Sequence, residues 1–371
     1  MQRPGWSARA QLPAFPWDRL APYGERARAH PDGAVDLSIG TPVDPTPQVV
    51  QDALAAAADA PGYPLTIGTP ALREAVATWV GERLGTPVAA SEVVPSTGSK
   101  ETVGLLPSLL GLAPGTQVLI PALAYPTYDV GARLAGCEPV ATDDPTAHDP
   151  SRVGLVWVNS PSNPTGAVLQ PERLRAIVEW GREHGVLVAS DECYLELGWE
   201  AEPVSVLHPS VCGGRTEGVL AVHSLSKRSN LAGYRAGFAA GDPLAVAAIV
   251  EARKNIGLLV PAPVQAAIVA ALRDATHVAE QRARYAARRD VLLPAVRAAG
   301  FTVEHSEAGL YLWCTRGEPC WDTVGALADV GVVAAAGEFY GAAGAQHVRL
   351  ALTASDEQVR TAAGRLGQLA A

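Results

Sequence analysis

The chain has 371 residues, room for roughly two domains of about 150 residues each, and its 48% hydrophobic and 18% charged side chains are a globular composition that excludes a disordered chain. Its formal net charge of −9, from 38 acidic against 29 basic residues, repels polyanions, so no nucleic-acid partner is expected. No apolar run approaches the roughly 20 residues of a membrane span, and the opening Met1–Trp6 stretch lacks the apolar core of a signal peptide, so the expectation is a cytoplasmic protein without a membrane partner.

In chain order, the first 47 residues are rich in Pro and Arg and are expected to run over the surface. Ala71 to Leu84 has helical spacing, with Thr69-Pro70 as cap and first turn. A helix over Thr102 to Leu110 follows Ser96-Thr97-Gly98-Ser99-Lys100-Glu101. Buried strands are predicted at Gln117 to Pro121, Val153 to Val158, Val186 to Ala189 and Val219 to Val222. Between the second and third lies a helix from Pro171 to His184, which stops before Gly185. Strands alternating with helices imply an α/β fold with a mostly parallel central sheet and helices on both faces.

The pattern then changes. A helix runs from Asp242-Pro243 towards Lys254, and a long helical pattern covers Pro261 to Ala299, with Pro294 as its expected break. Strand-like Gly309 to Trp313, a helix from Trp321 to Val330 and a strand at His347 to Leu352 complete a smaller α+β C-terminal domain. The expected organisation is an N-terminal arm over 1–35 that packs on the small domain, a large ligand-binding domain over 36–260, and a linking helix with the small domain over 261–371.

Sheets of this kind bind ligands beyond the carboxyl ends of their strands, so the residues that follow each strand carry the chemistry. After Val158 comes Asn159-Ser160-Pro161-Ser162-Asn163-Pro164-Thr165-Gly166; after Ala189, Ser190-Asp191-Glu192-Cys193-Tyr194; after Val222, His223-Ser224-Leu225-Ser226-Lys227. Each cluster alone reads as a turn, and Asp191 alone as a helix cap, but three on successive strands converge on one edge. Only three of the 29 basic residues are lysines: Lys100, Lys227 and Lys254. An amine can form a Schiff base and a guanidinium cannot, which makes Lys227, just past a buried strand, the pivot. Five scattered cysteines without a CxxC pair argue for a reduced compartment and against a structural metal site.

Asn163-Pro164-Thr165-Gly166, Asp191-Glu192-Cys193-Tyr194 and Ser224-Leu225-Ser226-Lys227 with Arg235, in that order and spacing, resemble the signature of fold-type I pyridoxal-phosphate aminotransferases of class I/II, from about Asp36 to Leu352. Within that family the run Ser224 to Phe238 looks most like actinobacterial N-succinyldiaminopimelate aminotransferases. The resemblance implies pyridoxal 5'-phosphate as cofactor and an amino acid and a 2-oxo acid as substrates. It implies that Lys227 binds the cofactor covalently and shuttles a proton, that Asp191 pairs with the ring nitrogen, and that Tyr194 and Asn163 bond the ring's phenolic oxygen.

The resemblance further gives Ser99, Lys100, Ser224 and Arg235 to the phosphate, Tyr125 to stacking on the ring, and Tyr63 to the phosphate of a partner subunit in a homodimer. Gly40, Asn163 and Arg349 would contact substrate, Arg349 through the α-carboxylate. The activity implied is amino transfer between glutamate/2-oxoglutarate and an amino acid such as N-succinyl-LL-2,6-diaminopimelate, in lysine and diaminopimelate biosynthesis. No arginine motif marks a site for a distal carboxylate. Amino transfer to aromatic or aliphatic amino acids, or carbon–sulfur β-elimination on the same cofactor, are the alternatives. A ligand-sensing domain of a transcriptional regulator is disfavoured because no helix-turn-helix pattern precedes the match.

Overall fold

The computed structural model describes residues 12–369, so the first eleven residues of the expected arm, Met1–Trp6 among them, lie outside the described residues. Among the described residues, thirteen strands form three sheets. In chain order they are β1 (Val35–Asp36), β2 (Val93–Thr97), β3 (Gln117–Ile120), β4 (Glu138–Ala141), β5 (Val153–Asn159), β6 (Leu187–Asp191), β7 (Val219–Ser224), β8 (Ala236–Gly241), β9 (Thr302–Glu304), β10 (Tyr311–Thr315), β11 (Val332–Val333), β12 (Ala335–Ala336) and β13 (His347–Ala351). The largest sheet has seven strands in the order β2-β8-β7-β6-β5-β3-β4. Its pairs are parallel except at β8, which runs antiparallel to both β2 and β7.

The α/β fold with a mostly parallel central sheet, as expected from the alternation of periods, is what the chain adopts. β7 and β8 are buried at every position, which explains why their sequences are unbroken apolar or small-residue runs rather than alternating ones. Apolar clusters cover both faces of the sheet. One face gathers Leu72, Val76, Trp79 and Leu174 from the helices Pro70–Leu84 and Pro171–His184. The other gathers Val103, Leu106 and Tyr128 from Ser99–Leu109 and Thr127–Leu134. Thr69 caps the first of these helices by accepting from Leu72 N at 3.3 Å, and Gly85, at φ 92°, ends it.

A second, antiparallel sheet runs β12-β13-β10-β9, and a parallel pair joins N-terminal β1 to β11, Val35 opposite Val332. Their shared core contains Tyr311, Trp313, Leu350 and Val324. The described part of the N-terminal segment lies against the helix Cys320–Asp329. Tyr23 stacks on Trp321 with ring centroids 5.3 Å apart, and the Arg19 guanidinium sits 4.4 Å over the same indole. Trp17 packs on Phe339 at 5.3 Å.

Two expectations need correction. The helical pattern over Pro261 to Ala299 is two helices, Ala262–Arg273 and Thr276–Ala298, and Pro294 lies inside the second instead of breaking it. The break falls at Asp274, whose carboxylate accepts from Thr276 N at 3.0 Å and bonds the His277 ring at 2.7 Å. A short polar side chain that bonds the next backbone amides ends one helix and starts another, a signal that hydrophobic period does not carry. The helix expected from Thr102 begins at Ser99, because Gly98 turns the chain at φ 81° directly out of β2.

The His277 hydrogen bond holds the Asp274 carboxyl down at about 2. The folded value lies below the unfolded one, so the cap stabilises above the usual carboxylate range and is lost as pH falls through about 2. Asp274→Ala is therefore expected to lower the melting temperature at pH 7 by about 1–2 °C, the scale of a lost helix cap. The difference from the parent protein should shrink on acidification, which thermal scans at several pH values measure.

Candidate active site

Beyond the carboxyl ends of β5, β6 and β7 opens a cleft of about 590 Å³. Parallel strands place their last residues side by side: Asn159 pairs with Asp191 across β5-β6, and Asp191 with Val222 across β6-β7. The three polar clusters read from the sequence therefore meet, and Asn163, Asp191, Tyr194, Ser224 and Lys227 all line this one cleft.

Asp191 is buried at the end of β6. Its Oδ2 accepts from the Tyr128 hydroxyl at 2.9 Å and its Oδ1 from Cys193 N at 3.2 Å. Burial raises its pKa, and the bonds from Cys193 and Tyr128 work against that rise. Asn159 braces the neighbourhood by donating to Asp191 O at 2.9 Å and accepting from Asn163 N at 2.7 Å. Lys227 follows β7 on the short helix Leu225–Arg228, started by Ser224, whose Oγ accepts from Ser226 N at 3.1 Å. Its Nζ donates to Gly40 O. Burial lowers the Lys227 pKa, opposed by Tyr311 and Cys193 and reinforced by Arg349 and Arg235. An ammonium held there gives up its proton more readily than a surface lysine.

Arg349 enters from the second sheet, on β13 opposite Trp313 of β10. It is 2% exposed. Its Nη1 donates to Asn163 Oδ1 at 2.7 Å and its Nη2 to Ser38 O at 2.8 Å, while its Nε has no partner among the described residues. A buried guanidinium with a free donor in a cleft is built to receive an anion.

The other rim is an anion cradle. Gly98 precedes the eleven-residue helix Ser99–Leu109, whose first backbone amides have no intrahelical acceptor. A Cβ on Gly98 would collide with the Arg235 guanidinium, so the glycine is what lets that cation lie over the turn. Glu101 braces the turn by accepting from Thr97 N at 3.2 Å and pairing with Arg253 at 3.1 Å. Ser99, Ser224, Ser226 and Arg235 line the cleft here, a donor set that suits a phosphate ester.

Two expected residues sit differently from the rest. Lys100 leaves the cradle: its Nζ lies 5.7 Å from the Tyr125 ring and 6.0 Å from the Phe15 ring, so its backbone remains at the helix start while its charge faces the cleft. Tyr63 does not line the cleft at all and is 97% exposed. Gly40 and Tyr125 do line it. Sequence reading missed Tyr128, Tyr311, Asn159, Phe15 and Trp17. Asn159 could have been found as the terminal residue of its strand. The aromatic residues carry no signal that separates a cleft wall from a core.

The family profile described as "Aminotransferase class I and II" matches residues 32–366. The 4-dedimethylamino-4-oxo-anhydrotetracycline transaminase OxyQ of Streptomyces rimosus is 58% identical over 96% of this chain and 99% of its own length. The probable aminotransferase Rv1178 of Mycobacterium tuberculosis is 59% identical over 96% of this chain and 86% of its own. Among solved structures, a probable N-succinyldiaminopimelate aminotransferase from Thermus thermophilus superposes with a TM-score of 0.86 at 28% identity, over 96% of this chain and 100% of that one.

Gly98→Ala should displace the Arg235 guanidinium from the turn. Loss of that charge-assisted contact is expected to weaken binding of pyridoxal phosphate about tenfold or more, read from the dissociation constant in a fluorescence titration.

Proposed function

The chain belongs to the class I and II aminotransferases, pyridoxal-phosphate-dependent transaminases that use amino acids and 2-oxo acids, and on that premise we propose which residues do the work and on what. The observation that carries the reading is one cleft containing a half-buried amine (Lys227), a buried carboxylate (Asp191), a buried guanidinium whose Nε has no partner among the described residues (Arg349) and an anion cradle that a Cβ at Gly98 would fill. That set fits the cofactor part for part. Ser99, the Lys100 backbone, Ser224 and Arg235 would hold its phosphate, and Tyr125 would stack on its ring.

When bound, pyridoxal phosphate supplies an aldehyde that takes up the amino group and a protonated pyridine ring that draws electrons from the substrate's α-carbon. Asp191 would accept from the protonated ring nitrogen, and the bonds from Tyr128 and Cys193 oppose the pKa rise that its burial causes. Asn163 has its Oδ1 engaged by Arg349, which leaves its Nδ2 to donate to the ring's phenolic oxygen, together with the Tyr194 hydroxyl. Arg349 orients the substrate by its α-carboxylate. Lys227, its pKa lowered by burial, would serve as the base that takes the proton from the substrate α-carbon.

For the substrates, we take glutamate and 2-oxoglutarate as one pair and N-succinyl-LL-2,6-diaminopimelate as the amino acid of the other, in lysine and diaminopimelate biosynthesis. Each carries a carboxylate remote from the reacting carbon, and the Lys100 ammonium at the aromatic end of the cleft supports its recognition. The name of the Thermus structure supports the same reading. A second reading, amination of an oxo-anhydrotetracycline such as OxyQ's name specifies, is favoured by the higher identity to OxyQ and by the rings of Phe15, Trp17 and Tyr125 along the cleft. A homodimer is part of the proposal: Tyr63 is 97% exposed and the apolar Val43 and Leu65 are more than half exposed, and a partner subunit would receive Tyr63 at its phosphate. No helix among the described residues is long and apolar enough to cross a membrane, which accords with a cytoplasmic enzyme.

The test is a panel of amino donors and oxo acceptors at equal concentration with the parent protein and Lys100→Ala. Glutamate should bleach the visible band of the holoenzyme. Lys100→Ala should raise KM for the dicarboxylic partners about tenfold, the scale of a lost charge-assisted bond, with little change for monocarboxylic ones. Equal loss across the panel would remove Lys100 from recognition, and pyruvate with ammonia from cystathionine would indicate β-elimination instead.

A further inference from the structure

Tyr311 opens β10 opposite Ala351 of β13 and is buried in the floor of the cleft. Three groups of the site converge on it, and a fourth, Lys227, bonds one of them. Its hydroxyl lies 3.0 Å from the Tyr194 hydroxyl, with the rings 5.7 Å apart at 75°. The Arg349 guanidinium carbon sits 3.8 Å from its ring centroid. A Cβ on Gly40 would collide with its hydroxyl, and the carbonyl of that same Gly40 accepts from Lys227.

Two phenols that share one hydrogen bond have one proton between them and one left to aim elsewhere. We propose that Tyr311 is a positioning residue: its hydroxyl donates to Tyr194 and so turns the Tyr194 proton into the cleft, towards the cofactor's phenolic oxygen. The inference rests on the reading above that Tyr194 bonds that oxygen.

The charges around the pair set this direction. Burial works to raise the Tyr311 pKa, but Arg349, Lys227 and the Tyr194 bond bring it below the ordinary tyrosine value, with Cys193 opposing them. Tyr194, by contrast, is pushed well above that value by burial first and then by Tyr311 and Cys193. Tyr285 from the helix Thr276–Ala298 and Tyr340 from the turn Gly337–Tyr340 also lie near Tyr311, both neutral phenols that burial pushes well above the ordinary tyrosine value. The Arg349 cation sits 3.8 Å over the Tyr311 ring, which favours loss of the Tyr311 proton over that of Tyr194 and so makes Tyr311 the donor of the pair. A bond that is itself donated to polarises the next one and strengthens it.

The experiment is a pH titration of the visible absorption of holoenzyme in the parent protein, Tyr194→Phe, Tyr311→Phe and the double variant. Tyr194→Phe should raise the midpoint. Tyr311→Phe, which keeps the ring over Arg349, should raise it in the same direction by about half to one pH unit, the size of one neutral hydrogen bond. The double variant should match Tyr194→Phe alone. A midpoint unmoved by Tyr311→Phe but raised by Tyr194→Phe overturns the inference and leaves the reading of Tyr194 standing. A Tyr194→Phe protein with an unmoved midpoint overturns both. A double variant that exceeds Tyr194→Phe overturns the route through Tyr194. Near-ultraviolet titration of the cofactor-free parent protein supplies a readout independent of any variant's folding: one phenol should ionise below the ordinary value of about 10, and a titration without such a phenol overturns the inference.

Discussion

Burial of charge without an opposite charge to meet it is the constraint around which this structure is arranged. Lys227 donates to a backbone carbonyl, Asp191 accepts from a phenol and an amide, and Arg349 donates to a side-chain amide and a carbonyl. Every one of these partners is neutral. A charge taken out of water and met only by neutral dipoles costs stability, and the chain tolerates three in one cleft. The parallel strands make this possible because their carboxyl ends lie in register, and the surrounding apolar clusters hold the strands in place. A ligand with an anionic phosphate, a protonated ring and a carboxylate-bearing substrate supplies the opposite charges that the protein leaves out.

The two sheets divide the task. The seven-stranded sheet positions the amine, the carboxylate and the anion cradle. The antiparallel sheet supplies Arg349 and Tyr311, and the segment before the first large-sheet strand supplies Gly40, Ser38 and the aromatic wall. Tyr311 is where these parts touch: it contacts Tyr194 of the large sheet, Arg349 of its own sheet and the Gly40 backbone. Substrate that bridges Arg349 and the Lys227 end would therefore link the two sheets through the cleft, and the geometry at Tyr194 depends on both.

Much of this was legible in the sequence, for a physical reason. Strands buried on both faces read as apolar runs, and a polar residue at the end of such a run has few structural reasons to be there, so Asn163, Asp191 and Lys227 stood out. The helix boundaries at Thr69, Pro171 and Gly185 were legible because caps are local. The break at Asp274 was missed because its partner, His277, belongs to the same unbroken helical period. Tyr128 and Tyr311 were missed because an aromatic residue at helical or strand spacing looks the same whether its hydroxyl meets solvent, core or a carboxylate. The direction of the Lys100 side chain depends on Phe15, 85 positions away in the chain, and no local pattern encodes it.

The central claim is that Lys227, and no other amine of the chain, meets the cofactor's aldehyde. With only three lysines in the sequence, borohydride reduction of the holoenzyme followed by peptide mass spectrometry decides it. The account predicts a single pyridoxyl-phosphate mass increment on the peptide that carries Lys227, in about one-to-one yield per chain. An increment on Lys100 or Lys254 instead, or a reduced protein that carries none, would contradict it.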